Sequence, residues 1–137
     1  MNVPDDVDEL TLLGRKGRHP IEHVETFRAP PGCSIVRFRT DELASVCPVT
    51  GQPDLASLEI EYTPAGRCVE SKSLKLYLWG FRDRAVFAEA LAAEIAAEIG
   101  QSAEPERVTV TVTQRPRGGI TVEAVATWPT PLPAART

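Results

Sequence analysis

The chain is poor in the residues from which many catalytic centres are built. Only two histidines occur, His19 and His23, so a His-rich centre is impossible. Their i, i+4 spacing is broken by Pro20, and no cysteine or acid cluster nearby completes a ligand set, so no metal site is expected. The three cysteines, Cys33, Cys47 and Cys68, are an odd number without close pairs, which argues against a disulfide framework. There is no Cys-x-x-Cys and no Gly-x-Gly-x-x-Gly, so neither a dithiol motif nor a Rossmann cofactor site is expected. No apolar run approaches the roughly 18 residues of a membrane helix. The acidic N-terminus lacks a signal-peptide pattern, which points to a cytoplasmic protein. A net charge of −4 supplies no broad basic footprint, so general nucleic-acid binding is disfavoured.

What is present suits one compact domain spanning residues 1–137 with a modest core. Residues 1–19 read as an irregular polar arm. Residues 129–137, with three prolines, read as a flexible tail. Residues 34–39 are β-rich. Leu58, Ile60 and Tyr62 alternate with Ser57, Glu59 and Glu61, as in a half-buried strand, and residues 64–66 then turn the chain. Val108, Val110 and Val112 alternate with threonines, and Ile120, Val122 and Ala124 form a further strand pattern. Arg115-Pro116-Arg117-Gly118-Gly119 joins these last two as a hairpin-like connection.

Between the strand pairs, Phe87, Leu91, Ile95 and Ile99 recur every four residues beside Ala88, Ala92 and Ala96. Asp83 is the expected N-cap of this helix and Gly100 its expected stop. Residues 73–81 fit both periods. A helix is preferred because it sets Lys72 and Lys75 on one face near its positive end, with Ser71 as cap. The predicted order is strand pair, helix pair, strand pair, an α+β fold.

Ser45-Val46-Cys47-Pro48-Val49-Thr50-Gly51-Gln52-Pro53-Asp54 is punctuated by two prolines and a glycine and reads as a shaped loop. It holds a thiol near a carboxylate, the types needed for a nucleophile and a proton donor. A free cysteine is more often a small buried hydrophobe, and Cys33 and Cys68 keep that reading. Asp54, after Pro53, suits a turn residue or cap as well as an acid. Glu89 projects away from Glu94 and Glu98 among small residues, so it either wants a partner or sits at an exposed edge. Lys72 and Lys75 suit a phosphate at a helix start, or are solvated surface lysines. Arg115 and Arg117 suit guanidinium contacts to phosphate, or a basic turn.

Taken together, these segments resemble the NADPH-dependent 7-cyano-7-deazaguanine reductases, the nitrile reductases of queuosine (tRNA modification) biosynthesis, in their short single-domain form. The matching pieces are Leu12-Leu13-Gly14, Cys47-Pro48 with Thr50 to Asp54, and Val69-Glu70-Ser71-Lys72-Ser73-Leu74-Lys75-Leu76-Tyr77. They continue through Phe81-Arg82, Phe87 with Glu89, and Pro116-Arg117-Gly118-Gly119-Ile120. The resemblance implies a tunnelling fold (T-fold) with ββααββ order, assembled as a homodecamer of two pentamers. It implies Cys47 as the nucleophile that forms a thioimide with the nitrile and Asp54 as proton donor. Val69, Glu70, Ser71, Ala88 and Glu89 would line the substrate site, and Lys72, Lys75 and Arg117 would anchor NADPH. The implied partner is a small deazapurine nitrile, with no direct nucleic-acid partner and no metal. One departure stands out: the family's usual histidine before the substrate-binding glutamate is here Ala88.

Three other readings compete. An amidine-forming enzyme acting on deazaguanine in tRNA would share the thioimide but lack the lysine motif. A zinc-dependent pterin or cyclohydrolase enzyme of the same fold would need more histidines. A non-catalytic purine-binding ring protein would have no use for Cys47 and Asp54.

Overall fold

The structure, a computed structural model, describes residues 19–130. The Leu12-Leu13-Gly14 motif, all of the arm but His19, and the tail beyond Thr130 lie outside the described residues. The elements are β1 (Thr26–Arg28), β2 (Val36–Val46), β3 (Pro53–Thr63), β4 (Arg67–Val69), α1 (Ser71–Trp79), α2 (Ala88–Ala103), β5 (Arg107–Arg117) and β6 (Ile120–Trp128). The long elements follow the expected ββααββ order. The short strands β1 and β4 pair antiparallel as a separate two-stranded sheet. Three residues are too few to show an alternation, so these two strands carry no sequence signal.

The main sheet is antiparallel, ordered β2-β3-β5-β6. Its inner face is formed by alternate residues: Leu58, Ile60 and Tyr62 of β3 meet Val108, Val110 and Val112 of β5. Helix α2 lies over β5 and β6 and presents Leu91, Ile95 and Ile99, each fully buried. Burying such a side chain is worth about 1.5–3 kcal/mol, so this stripe is the main apolar contribution of the helix. Tyr77 of α1 packs edge to face on Phe81, just past the end of the helix, at 5.4 Å.

Both helix boundaries depart from expectation for tertiary reasons. Asp83 does not cap α2, which begins at Ala88 after Phe87, and no side chain caps it. The intervening backbone is bound to β2 instead: the Val46 N–H donates to Arg84 O at 2.8 Å, and the Val86 N–H donates to Val46 O at 3.2 Å. Ala85 thus forms a parallel bridge with Val46 and is held out of the helix. Nor does Gly100 stop α2. The helix continues to Ala103, and Glu104 ends it in the left-handed region (φ 46°), donating its N–H to Gly100 O at 2.9 Å. Gly100 is small for another reason, since a Cβ there would lie 2.2 Å from the Trp128 ring.

Helix α1 starts at Ser71, but its cap is Glu70 rather than Ser71. At the other end of the chain, β5 runs through Arg117, so the connection to β6 is only Gly118-Gly119. Both glycines have positive φ, 58° and 79°, as a tight two-residue hairpin requires.

Glu94 and Glu98 share one side of α2 but not one environment. Glu94 is exposed and pairs with Arg84 through two contacts, at 2.6 and 3.1 Å. Glu98 is buried. The segment before β1 covers it: Glu98 Oε1 pairs with His23 Nδ1 at 2.9 Å, and Oε2 accepts the Val24 N–H and the Ser102 hydroxyl, each at 2.8 Å. The hydrogen bond and charge of Glu98 raise the pKa of His23 above its ordinary value. No helix among the described residues is long and apolar enough to cross a membrane.

Gly100→Ala tests the α2–β6 contact. Alanine ordinarily favours a helix interior by about 1 kcal/mol. Here the clash falls on the body of an indole ring rather than a flexible tip, so overpacking wins. A net destabilisation of about 1–3 kcal/mol is expected in urea unfolding, and a neutral or stabilising result contradicts the packing.

Candidate active site at the tip of a hairpin

The β2–β3 register sets Ser45 opposite Asp54 and Val46 opposite Pro53. The stretch that reads as one loop is therefore mostly strand, and the true loop is residues 47–52. Pro53 is tolerated because it opens its strand. Asp54 shares the inward face of β3 with Ala56, Leu58 and Ile60, which explains its 8% exposure.

The backbone of Cys47 is pinned twice. Its N–H donates to Gln52 O at 2.8 Å, and its carbonyl accepts the Gly51 N–H at 2.9 Å. Gly51 adopts φ 72° to close this turn. The half-buried thiol then faces three donors: the Thr50 hydroxyl and the N–H groups of Thr50 and Val49. Led by the Thr50 hydroxyl, they lower the thiol pKa, while desolvation and the nearby Asp54 charge oppose them. A thiol with lowered pKa is the reactive kind. The arrangement copies a helix N-cap, in which a side chain accepts N–H groups two and three residues on. Cys-Pro-x-Thr, with proline at the first turn position, was the available sequence signal for Thr50.

Arg117 reaches the same loop from the end of β5. Its Nη2 lies 3.0 Å from Asp54 Oδ1 and also donates to Pro53 O. Its Nη1 donates to Gln52 Oε1 at 3.1 Å and to Thr50 Oγ1 at 3.4 Å. Arg115, by contrast, is simply exposed on β5.

The second group of expected residues clusters at the start of α1. Glu70 is 5% exposed, and its oxygens accept the Ser73 N–H at 2.8 Å and the Lys72 N–H at 2.6 Å. The fully buried Ser73 hydroxyl donates to Glu70 O and accepts the Glu25 N–H, both at 2.8 Å. A carboxylate has about four lone-pair sites, so this cap leaves Glu70 capacity for a ligand's N–H groups. It also occupies two helix-start N–H groups, so a phosphate here would depend on lysine side chains rather than on the helix end. Val69 is buried in the core, and its N–H donates to Tyr62 Oη at 2.8 Å. Ser71 and Lys75 are exposed and line a groove of about 840 Å³ between α1 and the sheet. Ser45, Val46 and Pro53 line it too, so it passes the strand ends that carry Cys47 and Asp54.

Ala88 and Glu89 open α2 just past the Val46–Ala85 bridge. Ala88 is buried and Glu89 exposed, so the edge reading of Glu89 holds within this chain. Cys68 is buried, which pushes its thiol up, with the Cys33 sulfur beside it.

A family model described as QueF-like protein matches residues 53–131, more than half of the chain. Curated relatives are similar over most of their length. A Syntrophus aciditrophicus protein named NADPH-dependent 7-cyano-7-deazaguanine reductase is 42% identical, covering 93% of this chain and 92% of its own. The chain belongs to the QueF-like family. A Frankia casuarinae protein of the same name is 40% identical over 87% of this chain and 95% of its own. Among solved structures, the archaeosine synthase QueF-Like in its apo form superimposes with a TM-score of 0.66 at 30% identity. It covers 73% of this chain and 95% of its own. The α+β architecture is thus the T-fold expected from sequence.

Thr50→Val removes one of the three thiol donors and keeps the side-chain volume. The thiolate absorbance of Cys47, titrated against a Cys47→Ser blank, is expected to shift upward by about half a pH unit or more. An unmoved titration would deny the hydroxyl its role.

Proposed function

We propose that the protein reduces the nitrile of 7-cyano-7-deazaguanine to the primary amine, with NADPH as co-substrate and a covalent thioimide on Cys47. The observation that carries the reading is a thiol facing three donors near a buried carboxylate, each next in the chain to a residue, Val46 or Pro53, that lines the groove edged by Ser71 and Lys75. The names of the relatives support the same reaction.

The chemistry divides into balanced steps. Cys47 gives its proton to the Asp54 carboxylate and adds as thiolate to the nitrile carbon, forming the C–S bond as the nitrogen takes that proton from Asp54. NADPH supplies a hydride for each of two reductions. After the first, the C–S bond breaks, the thiolate leaves and an imine remains. After the second, with another proton, the amine is complete. Covalent attachment splits one hard reduction into easier ones. Glu70 and Glu89 accept N–H groups of the deazaguanine base, and Val69, Ser71 and Ala88 shape its surroundings. Lys72, Lys75 and Arg117 bind cofactor phosphates through their side-chain charges. Ala88 brings no proton, which leaves Asp54 as the side-chain acid beside the thiol. Outer strands β2 and β6 each pair on one side only among the described residues, which suits the ring joining of a homodecamer.

The likeness to the archaeosine synthase structure favours one second reading, amidine formation on deazaguanine in tRNA through the same thioimide. That reaction consumes no NADPH. Substrate-dependent loss of NADPH absorbance, two equivalents per amine, is the expected result; its absence would sink the reductase reading. Without NADPH, intact mass is expected to show a nitrile adduct that Cys47→Ala abolishes. An adduct persisting in that variant would mean another nucleophile.

A further inference from the structure

We propose that Arg117 is a positioning residue for Cys47: it locks the 47–52 loop so that the Thr50 hydroxyl has one direction left in which to donate, toward the thiolate. The argument is one of hydrogen-bond accounting. Thr50 Oγ1 accepts the Gln52 N–H at 3.3 Å and Arg117 Nη1 at 3.4 Å. A hydroxyl has two acceptor sites and one proton to give. With both acceptor sites engaged, the proton goes to the remaining neighbour, Cys47 Sγ.

The same guanidinium holds Gln52 through its side chain, Pro53 through its carbonyl and Asp54 through its carboxylate. Gln52 lies two residues after Thr50, and Pro53 and Asp54 open β3, so one side chain braces the far half of the loop against β5. Its charge also offsets that of Asp54, whose field opposes thiolate formation. Other charged groups on neighbouring elements do not replace it. Arg84, beside Val46, is committed to Glu94, and Arg82, Asp83 and Lys75 line the groove. Lysine cannot reproduce the fork, having one nitrogen where arginine has two terminal ones in fixed geometry.

The inference rests on the proposed function only for its catalytic consequence, so the test has an arm independent of any nitrile. Cys47 alkylation by iodoacetamide, resolved from Cys33 and Cys68 by peptide mass, is followed against pH without NADPH. In Arg117→Gln the midpoint is expected to rise by about half to one pH unit, with the rate at neutral pH falling about three- to ten-fold. Arg117→Lys is expected to fall between, and it carries the test if the glutamine variant does not fold. The nitrile adduct, also formed without cofactor, is expected to slow in parallel. Unchanged alkylation and adduct formation with a raised KM for NADPH would overturn the proposal and leave Arg117 as a cofactor anchor alone. If the unsubstituted protein forms no nitrile adduct, the proposed function fails, and the alkylation arm still decides the role of Arg117.

Discussion

Strand β3 is hydrogen-bonded on both edges, and that double pairing is the constraint on which the site depends. One edge binds β2, whose last residue precedes Cys47, and the other binds β5, whose last residue is Arg117. Asp54, near the start of β3, lies between them. Thiol, carboxylate and guanidinium therefore meet because three neighbouring strands end at the same side of one sheet. No flexible segment has to fold over to bring them together. The apolar inner face, closed by α2, holds the sheet that holds the strand ends.

Much of this architecture was legible in the sequence because period and burial agree. Val108, Val110 and Val112 announce a strand, and Leu91, Ile95 and Ile99 announce a helix. The structure buries both sets completely. What misled was chemistry that tertiary contacts reassign. Asp83 has the right chemistry for a cap, yet the backbone after it bonds to β2. Gly100 has the right chemistry for a stop, yet an indole ring needs its space. The second half of β2 was hidden because a register irregularity between Thr40 and Leu43, beside Asp41 and Glu42, interrupts the alternation.

The site divides in the same way. Cys47 and Asp54 could be singled out from turn punctuation and residue type. Glu70 could be reached only through the family resemblance, and its carboxylate is also a structural cap at the start of α1. The contacts of Arg117 could not, because they depend on β5 overrunning its last regular partner, with an irregularity between Gln114 and Arg117. Glu98 was equally opaque. Helical projection places it beside the exposed Glu94, and only the chain before β1 makes it internal.

The outer face of the sheet carries Arg37 opposite Glu61, Arg39 opposite Glu59, and Asp41 bonded to Ser57. Exposed ion pairs of this kind contribute little to stability. Their larger effect lies in the misfolded alternatives they penalise. Sliding β2 by one residue would drive both arginines under the helices. Sliding it by two in one direction would confront Asp41 with Glu59, and in the other would strip Glu61 of its cation. The solvent-facing charges thus act as a proofreading pattern, and what they proofread is the alignment that sets Cys47 beside Asp54.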